Sequence, residues 1–240
     1  MCSSDLEKQL ERAIEYGPIP NAVLVSAQNR LYLHADVPGM KRQLEKLPER
    51  FRGTEKAVLT RCTYALMSGD FQFGLDALRS INAPWMTDFE YTGPTALLAG
   101  ELLLMQGKPS FAIQRFEEAS AQLTRRKAES ISNIFVLNLD TWVLMRLGKV
   151  QAAKAQNQLM LKEIARPYAI NIGATPLFNP IFLNLLLGER TQALDLWREA
   201  ARDGGARLAL ASVMRFDARL AKFRNDAAIL ALLAQATKGT

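Results

Sequence analysis

His34 is the only histidine in the chain, and Cys2 and Cys62 are the only cysteines. A catalytic imidazole must be paired with a nucleophile or a carboxylate, and a nitrogen or sulfur metal centre needs three or four ligands. So small a stock of His and Cys argues against both, and the two cysteines cannot build a disulfide framework. His34 reads as a partly buried residue closing a helix, and Cys62 as a small core residue inside one. Adjacent carboxylates occur at Glu117 and Glu118 and at Asp88 and Glu90, where the ordinary reading is a solvated face. Gly69-Asp70, Gly107-Lys108 and Gly188-Glu189 look like turns between helices, and Gly204-Gly205 lacks the Lys-Ser/Thr that a phosphate cradle requires. No residue stands out as catalytic, cofactor-binding or metal-ligating, so the chain is expected not to be an enzyme and to need no cofactor.

The bulk numbers set wide limits. With 240 residues, 49% of them apolar, the chain can bury a substantial core. Thirty Lys plus Arg against 24 Asp plus Glu give a formal charge of +6, which favours acidic partners. No Lys/Arg run with interleaved aromatics points to nucleic acid. The start Met1-Cys2-Ser3-Ser4-Asp5 has neither a basic lead nor an apolar signal core, and no uncharged apolar run is long enough to span a bilayer. The expectation is a soluble, cytoplasmic chain without membrane insertion. Helical patterning begins almost directly after Met1, which leaves room for the chain to be a piece of a longer protein.

The elements that would position any functional surface are helices. Asp5 to Tyr16 reads as a short amphipathic helix, followed by helices from about Asn21 to Leu33 and Pro38 to Leu47, and then from Thr54 to Met67 and onward from Asp70. A linker from Asn82 to Gly93, rich in Pro and aromatics, is expected to fold back over the seam between helix pairs. Further helices are expected from Pro94 to Gln106, Pro109 to Leu123, Ser130 to Leu147, Val150 to Ala165, Pro180 to Leu187 and Thr191 to Arg202. A second irregular linker covers Arg166 to Asn179. Gly204-Gly205 is expected to break the chain before a closing helix and a short terminal segment.

Aligning the turn glycines exposes a period. Gly69, Gly107, Gly148 and Gly188 are 38, 41 and 40 residues apart, and Ala35 holds the equivalent place 34 residues before Gly69. Five residues after each turn stands a small or slim residue (Met40, Gly74, Ala112, Ala153, Ala193), and four later a larger one in most units (Leu44, Leu78, Phe116, Trp197, with Asn157 the exception). A small residue lets two antiparallel helices approach, and a bulky one locks into the next pair. The pattern resembles the tetratricopeptide repeat, carried best by Gly100, Gly107, Ala112 and Phe116 in the third unit. The match covers about residues 20 to 233, although the spacing exceeds the family's usual period of about 34 and its consensus aromatics are mostly Leu or Ala here. The resemblance implies an all-α, right-handed superhelical stack of about five antiparallel helix pairs. It would form one α-solenoid domain over 1–240, with an N-terminal helix (1–19), repeats (20–203) and a C-terminal cap (204–240).

What that family does sets the functional expectation, a non-catalytic scaffold that binds a protein or peptide in its concave groove. By analogy, the groove stripe comprises Asn29, Tyr32, Glu101, Asn138, Trp142, Arg146, Phe178 and Phe182, with Thr63, Met67, Met105 and Met145 alongside. The family's carboxylate clamp needs a basic residue where this chain has Val25, so that binding mode is not expected. A second candidate surface is the C-terminal region, where Arg198, Arg202, Arg207, Arg215, Arg219, Lys222 and Arg224 outnumber Glu199, Asp203 and Asp217, an excess that suits an acidic partner but more often is the polar outer face that a solenoid's last helices require. The segment from Asp217 to Leu233 looks like the closing part of repeat domains attached to bacterial winged-helix regulators and nucleotide cyclases. That likeness implies the alternative, a sensory or regulatory domain of a bacterial transcription regulator whose output domain lies outside this chain.

Overall fold

Five turns carry left-handed backbone angles at the positions the period marks. Gly69, Gly107, Gly148 and Gly188 have φ of 83°, 77°, 73° and 82°, and Ala35 has φ 53°, the one positive value at a non-glycine residue among those described. The computed structural model describes residues 8–10, 12, 17, 19–88, 90–129, 134–164 and 176–237. At the glycine turns the chain reverses by back-bonding to the helix just ended. Lys108 N donates to Leu103 O and Gly107 N to Leu104 O, and the same pair of bonds recurs at Gly148 and Gly188. These bonds satisfy carbonyls that the helix end would otherwise leave bare.

Each turn joins two helices that pack on each other. The pairs are α1 (Pro20–Tyr32) with α2 (Val37–Glu45), α3 (Glu55–Ser68) with α4 (Phe71–Arg79), α5 (Thr95–Met105) with α6 (Pro109–Glu129), α7 (Ile134–Arg146) with α8 (Val150–Ile164), and α9 (Pro180–Leu186) with α10 (Arg190–Ala200). Successive pairs meet through α2 with α3, α4 with α5 and α6 with α7. The fourth and fifth are joined by the buried Asn157, whose Nδ2 donates to Asn184 Oδ1 at 2.8 Å. Asp36, Asp70 and Asn179 cap their helices, accepting from Gly39 N, Phe73 N and Ile181 N. The small residues allow close approach as the repeat logic expects. A Cβ on Gly100 would lie 2.4 Å from Phe116 Cε1, and one on Gly74 would lie 2.8 Å from Ala65 Cβ. Cys62 is core, its Sγ 3.7 Å from Gly74 O, and burial pushes its thiol up to about 12.

Several expectations need correction. The fold is mostly helical, as an all-α class expects, but the stretch read as a linker forms a hairpin of β1 (Trp85–Asp88) and β2 (Tyr91–Pro94). Its register pairs Trp85 with Pro94 and Asp88 with Tyr91. Met86 and Tyr91 point inward while Thr87 and Thr92 are exposed, a period-two alternation that the aromatic and proline content obscured. α6 runs beyond Leu123 to Glu129, because nothing in Thr124-Arg125-Arg126-Lys127 breaks a helix. Gly204-Gly205 opens a helix instead of breaking the chain, since the Asp203 side chain accepts from Ala206 N and caps α11 (Gly204–Phe216). His34 is exposed in the turn after α1. Of the N-terminal helix, residues 8–10 and 12 are helical, and the rest lies outside the described residues, as does most of the second linker.

After α11 come a 3-10 turn (Ala218–Phe223) and α12 (Ala227–Thr237). α11 does not simply extend the row of pairs. It returns to pack on α1 and α3, and the 3-10 turn also packs on α3. Ser212 Oγ donates to Leu31 O at 2.5 Å, tying residues 181 apart in sequence. Among the described residues no helix is long and apolar enough to cross a membrane.

The left-handed turns generate a ranked prediction. Gly107→Ala forces a Cβ into a left-handed conformation and lowers stability by about 1–2 kcal/mol. Ala35→Gly relieves the same strain but adds freedom to the unfolded chain, so it shifts stability by less than about 1 kcal/mol. Denaturant midpoints of both variants check the order, and a larger loss at position 35 would contradict it.

Candidate functional site

α5 is apolar nearly all round except for Glu101, which is wholly buried. On α7, Asn138, Trp142 and Arg146 fall four residues apart and so share one face. Two of them meet Glu101. Trp142 Nε1 donates to Glu101 Oε1 at 2.8 Å, and Arg146 grips both oxygens, Nε to Oε1 at 2.6 Å and Nη2 to Oε2 at 2.7 Å. Asn138 Nδ2 donates instead to Phe178 O at 2.6 Å, fixing the 3-10 turn Pro176–Phe178 against α7.

The C-terminal segment completes the cluster. Arg219, wholly buried, lies with Nη1 3.6 Å from Glu101 Oε2, an ion pair longer than a hydrogen bond. It forks onto Asp217, Nε to Oδ1 at 3.0 Å and Nη2 to Oδ2 at 2.6 Å, while Nη2 also reaches Leu177 O at 2.6 Å. Its guanidinium stands 5.2 Å from the Trp142 ring centroid and 5.4 Å from that of Phe178. Phe178 meets Trp142 edge-on at 5.1 Å and Tyr91 at 5.4 Å. Two carboxylates and two guanidiniums thus cancel inside an aromatic surround. Burial alone would raise the Glu101 pKa, but the charges of Arg146 and Arg219 and the bonds from Arg146 and Trp142 outweigh it and hold the carboxyl below its ordinary value.

The stripe expected to line a groove is therefore largely covered by the chain itself. Glu101, Asn138, Trp142 and Phe178 converge in this cluster, and Arg146 closes it with a mostly buried side chain. Phe182 is also wholly buried but belongs elsewhere, packed edge-on with Trp197 inside the fifth pair. Asn29 and Tyr32 are partly exposed on α1. Burial of the hydroxyl end, then the charge of Glu90, pushes the Tyr32 pKa up, while a hydrogen bond with Thr63 opposes the rise. As a surface open to a peptide, the stripe at Glu101, Asn138, Trp142, Phe178 and Phe182 is corrected to interior.

Of the basic C-terminal surface, Arg198 and Arg202 are exposed as expected, and Arg219 and Asp217 are the exceptions. Arg219 and Asp217 are core, Arg198 and Arg202 pair with Asp195 and Glu199, and Arg224 donates to Met214 O and Asp217 O. Sequence reasoning missed Arg219 and Asp217 as partners of Glu101. The available signal was a single carboxylate on an otherwise apolar helix, which demands a cation from somewhere. Among the described residues no group of three or more His, Cys, Asp or Glu could hold a metal ion. Comparison of the chain with protein-family models, curated proteins and solved structures returns no match.

Because Glu101 has a lowered pKa in the folded chain, its contribution is complete above the ordinary carboxylate pKa of about 4.3 and is lost as pH falls through the lower folded value. Glu101→Gln leaves Arg146 and Arg219 with excess buried charge and costs about 3–5 kcal/mol at neutral pH. Urea titrations of both proteins from neutral to acid should show the gap narrowing below about pH 4. A gap of constant size would mean that the charge on Glu101 does not matter.

Proposed function

We propose that the chain is a non-catalytic, tetratricopeptide-like scaffold that binds a protein or peptide, and that the partner docks on its outward side. The superhelical stacking is part of this reading and is supported by five successive helical hairpins, each with a left-handed turn. In this reading residues 204–223, which pack on α1 and α3, take the place of a ligand on the side that the family ordinarily uses, so an external partner needs another surface.

The observation that carries the reading is Phe111, 60% exposed at the mouth of a cleft of about 420 Å³ between the second and third hairpins. Leu75 and Leu78 of α4 and Ala96, Ala99 and Leu103 of α5 supply its apolar lining, with Lys108, Arg79 and Arg115 among its charged residues. At about 100° per residue, Ala99 and Leu103 stand on the side of α5 away from Glu101. The central helix thus offers one side to the buried charge cluster and the other to this cleft. A large exposed aromatic beside aliphatic floor residues gives a partner apolar area, while Arg79 and Arg115 at its rim are paired with Asp76 and Glu118.

Phe111→Asp tests this reading. An exposed position tolerates the change with less than about 0.5 kcal/mol of lost stability, so the folding midpoint stays put while partner capture by the full chain, read by crosslinking and peptide mapping, falls at least tenfold. Unchanged capture with the crosslinks mapping elsewhere would overturn the outward-docking reading.

A further inference from the structure

The boundary between the first and second hairpins differs from the one that follows it. A cleft of about 560 Å³ lies between α2 and α3, with Phe216, the last residue of α11, in its lining. Its volume falls in the range of small-molecule sites, about 300–1,000 Å³. Counting from the turns, Lys41, Glu45 and Tyr64 of this cleft hold the places of Leu75, Arg79 and Leu102 at the next boundary. Pro38 and Ser68 likewise stand where that boundary has Gln72 and Gln106, and there Gln106 Nε2 donates to Gln72 Oε1 at 3.2 Å. A proline side chain has nothing to donate or accept, so no such bond ties α2 to α3 here.

Three polar side chains line the cleft without a polar partner. Among the described residues Lys41 makes no ion pair or hydrogen bond, its Nζ standing 6.0 Å from the centroid of the Tyr64 ring, and Glu45 makes none either. The two are one turn apart on α2, but Lys placed before Glu is the weaker order for a helical pair. The other cation in the lining, Arg42, is turned to Asp36 at 3.4 Å. Tyr64 is only 6% exposed and its ring meets Phe73 edge-on at 5.4 Å, yet its hydroxyl has no hydrogen-bond partner and is not sealed from solvent. Buried Met67, with Pro38 and Phe216, supplies apolar surface beside these three groups.

We propose that this cleft binds a free α-amino acid with a large apolar side chain. Its carboxylate accepts from Lys41 Nζ and the Tyr64 hydroxyl, its ammonium donates to the Glu45 carboxylate, and its side chain covers Met67, Pro38 and Phe216. The two charges of an amino acid share one α-carbon, and Lys41 and Glu45 are one turn, about 5.4 Å, apart along α2, so a single ligand answers both. A simple anion would leave Glu45 unanswered and bring like charge toward it. A hydrocarbon would leave all three polar groups bare. This cleft is separate from the one beside Phe111, and the inference does not rest on the scaffold reading.

The test is a calorimetric titration of the full chain with L-leucine, L-methionine and L-phenylalanine. Saturable binding of at least one of them at millimolar concentration or below is expected. Its methyl ester, its N-acetyl derivative and L-alanine each bind about tenfold more weakly, or worse, through loss of the carboxylate charge, the ammonium or the apolar side chain. Glu45→Gln weakens the free amino acid by about the same factor and leaves the N-acetyl derivative, which has no ammonium, unchanged. A loss confined to one of two ligands cannot come from misfolding. Tyr64→Phe deletes only the unpartnered hydroxyl and also weakens binding, with the urea midpoint unmoved. No saturable heat with any of the three, equal binding of a blocked derivative or of alanine, or full affinity in either variant would each overturn the proposal.

Discussion

Glu101 and its two arginines are the constraint on which the arrangement depends. A lone carboxylate in an apolar interior would cost several kcal/mol, and so would each guanidinium. Glu101, Arg146, Arg219 and Asp217 cancel one another only when α5, α7 and the C-terminal turn are all in place. A slip of the C-terminal segment by one helical turn would carry Arg219 and Asp217 away together and leave Glu101 against Arg146 alone, beside a vacated aromatic pocket. The quartet is thus better understood as a register pin than as a source of net stability, since apolar packing of similar volume would serve stability equally well.

That pin explains the route of the chain. A row of helical hairpins has a face on each side of the first helices and two ends, and each needs cover from polar residues or from further polypeptide. Here the chain lays residues 204–223 on its own first and third helices, with Leu210, Val213 and Met214 buried on the underside of α11. The Ser212 bond to Leu31 O and the Arg219 bond to Leu177 O hold that segment at two separated points. Contacts of such long sequence separation are slow to form, whereas each hairpin needs only its own turn. The hairpins are local structures and their closure is not.

This division also decides what could be read from sequence. Turn positions were legible because a left-handed turn selects glycine for a local reason, and even Ala35 was found by spacing, where residue type alone would have missed it. Capping at Asp70 and the small-to-large rhythm at Gly100 and Phe116 were legible on the same grounds. The destination of α11 was not, because its Leu, Val and Met pattern says only that one side is buried, never against what. Arg219 looked like part of a solvated basic tail since its neighbours Arg215, Lys222 and Arg224 are basic too. Nothing local distinguishes the arginine that must neutralise a carboxylate more than a hundred positions earlier.

The same limit bears on where binding is sought. Family likeness directs attention to Trp142 and Phe182, large aromatics at groove positions, and both prove to be interior. Phe111 was overlooked because it opens a helix whose inward residues, Ala112 and Phe116, already fit the repeat. A periodic pattern explains its conforming positions and draws the eye from the others. Yet Phe111 is a large aromatic side chain that the repeat does not use and that packing does not cover. Trp85 stands in the same position, an aromatic in a stretch outside the repeat with an indole N–H left unanswered. In a chain whose buried charges are balanced by its own residues, side chains that the periodicity leaves unexplained are the ones to look at for contacts outside it.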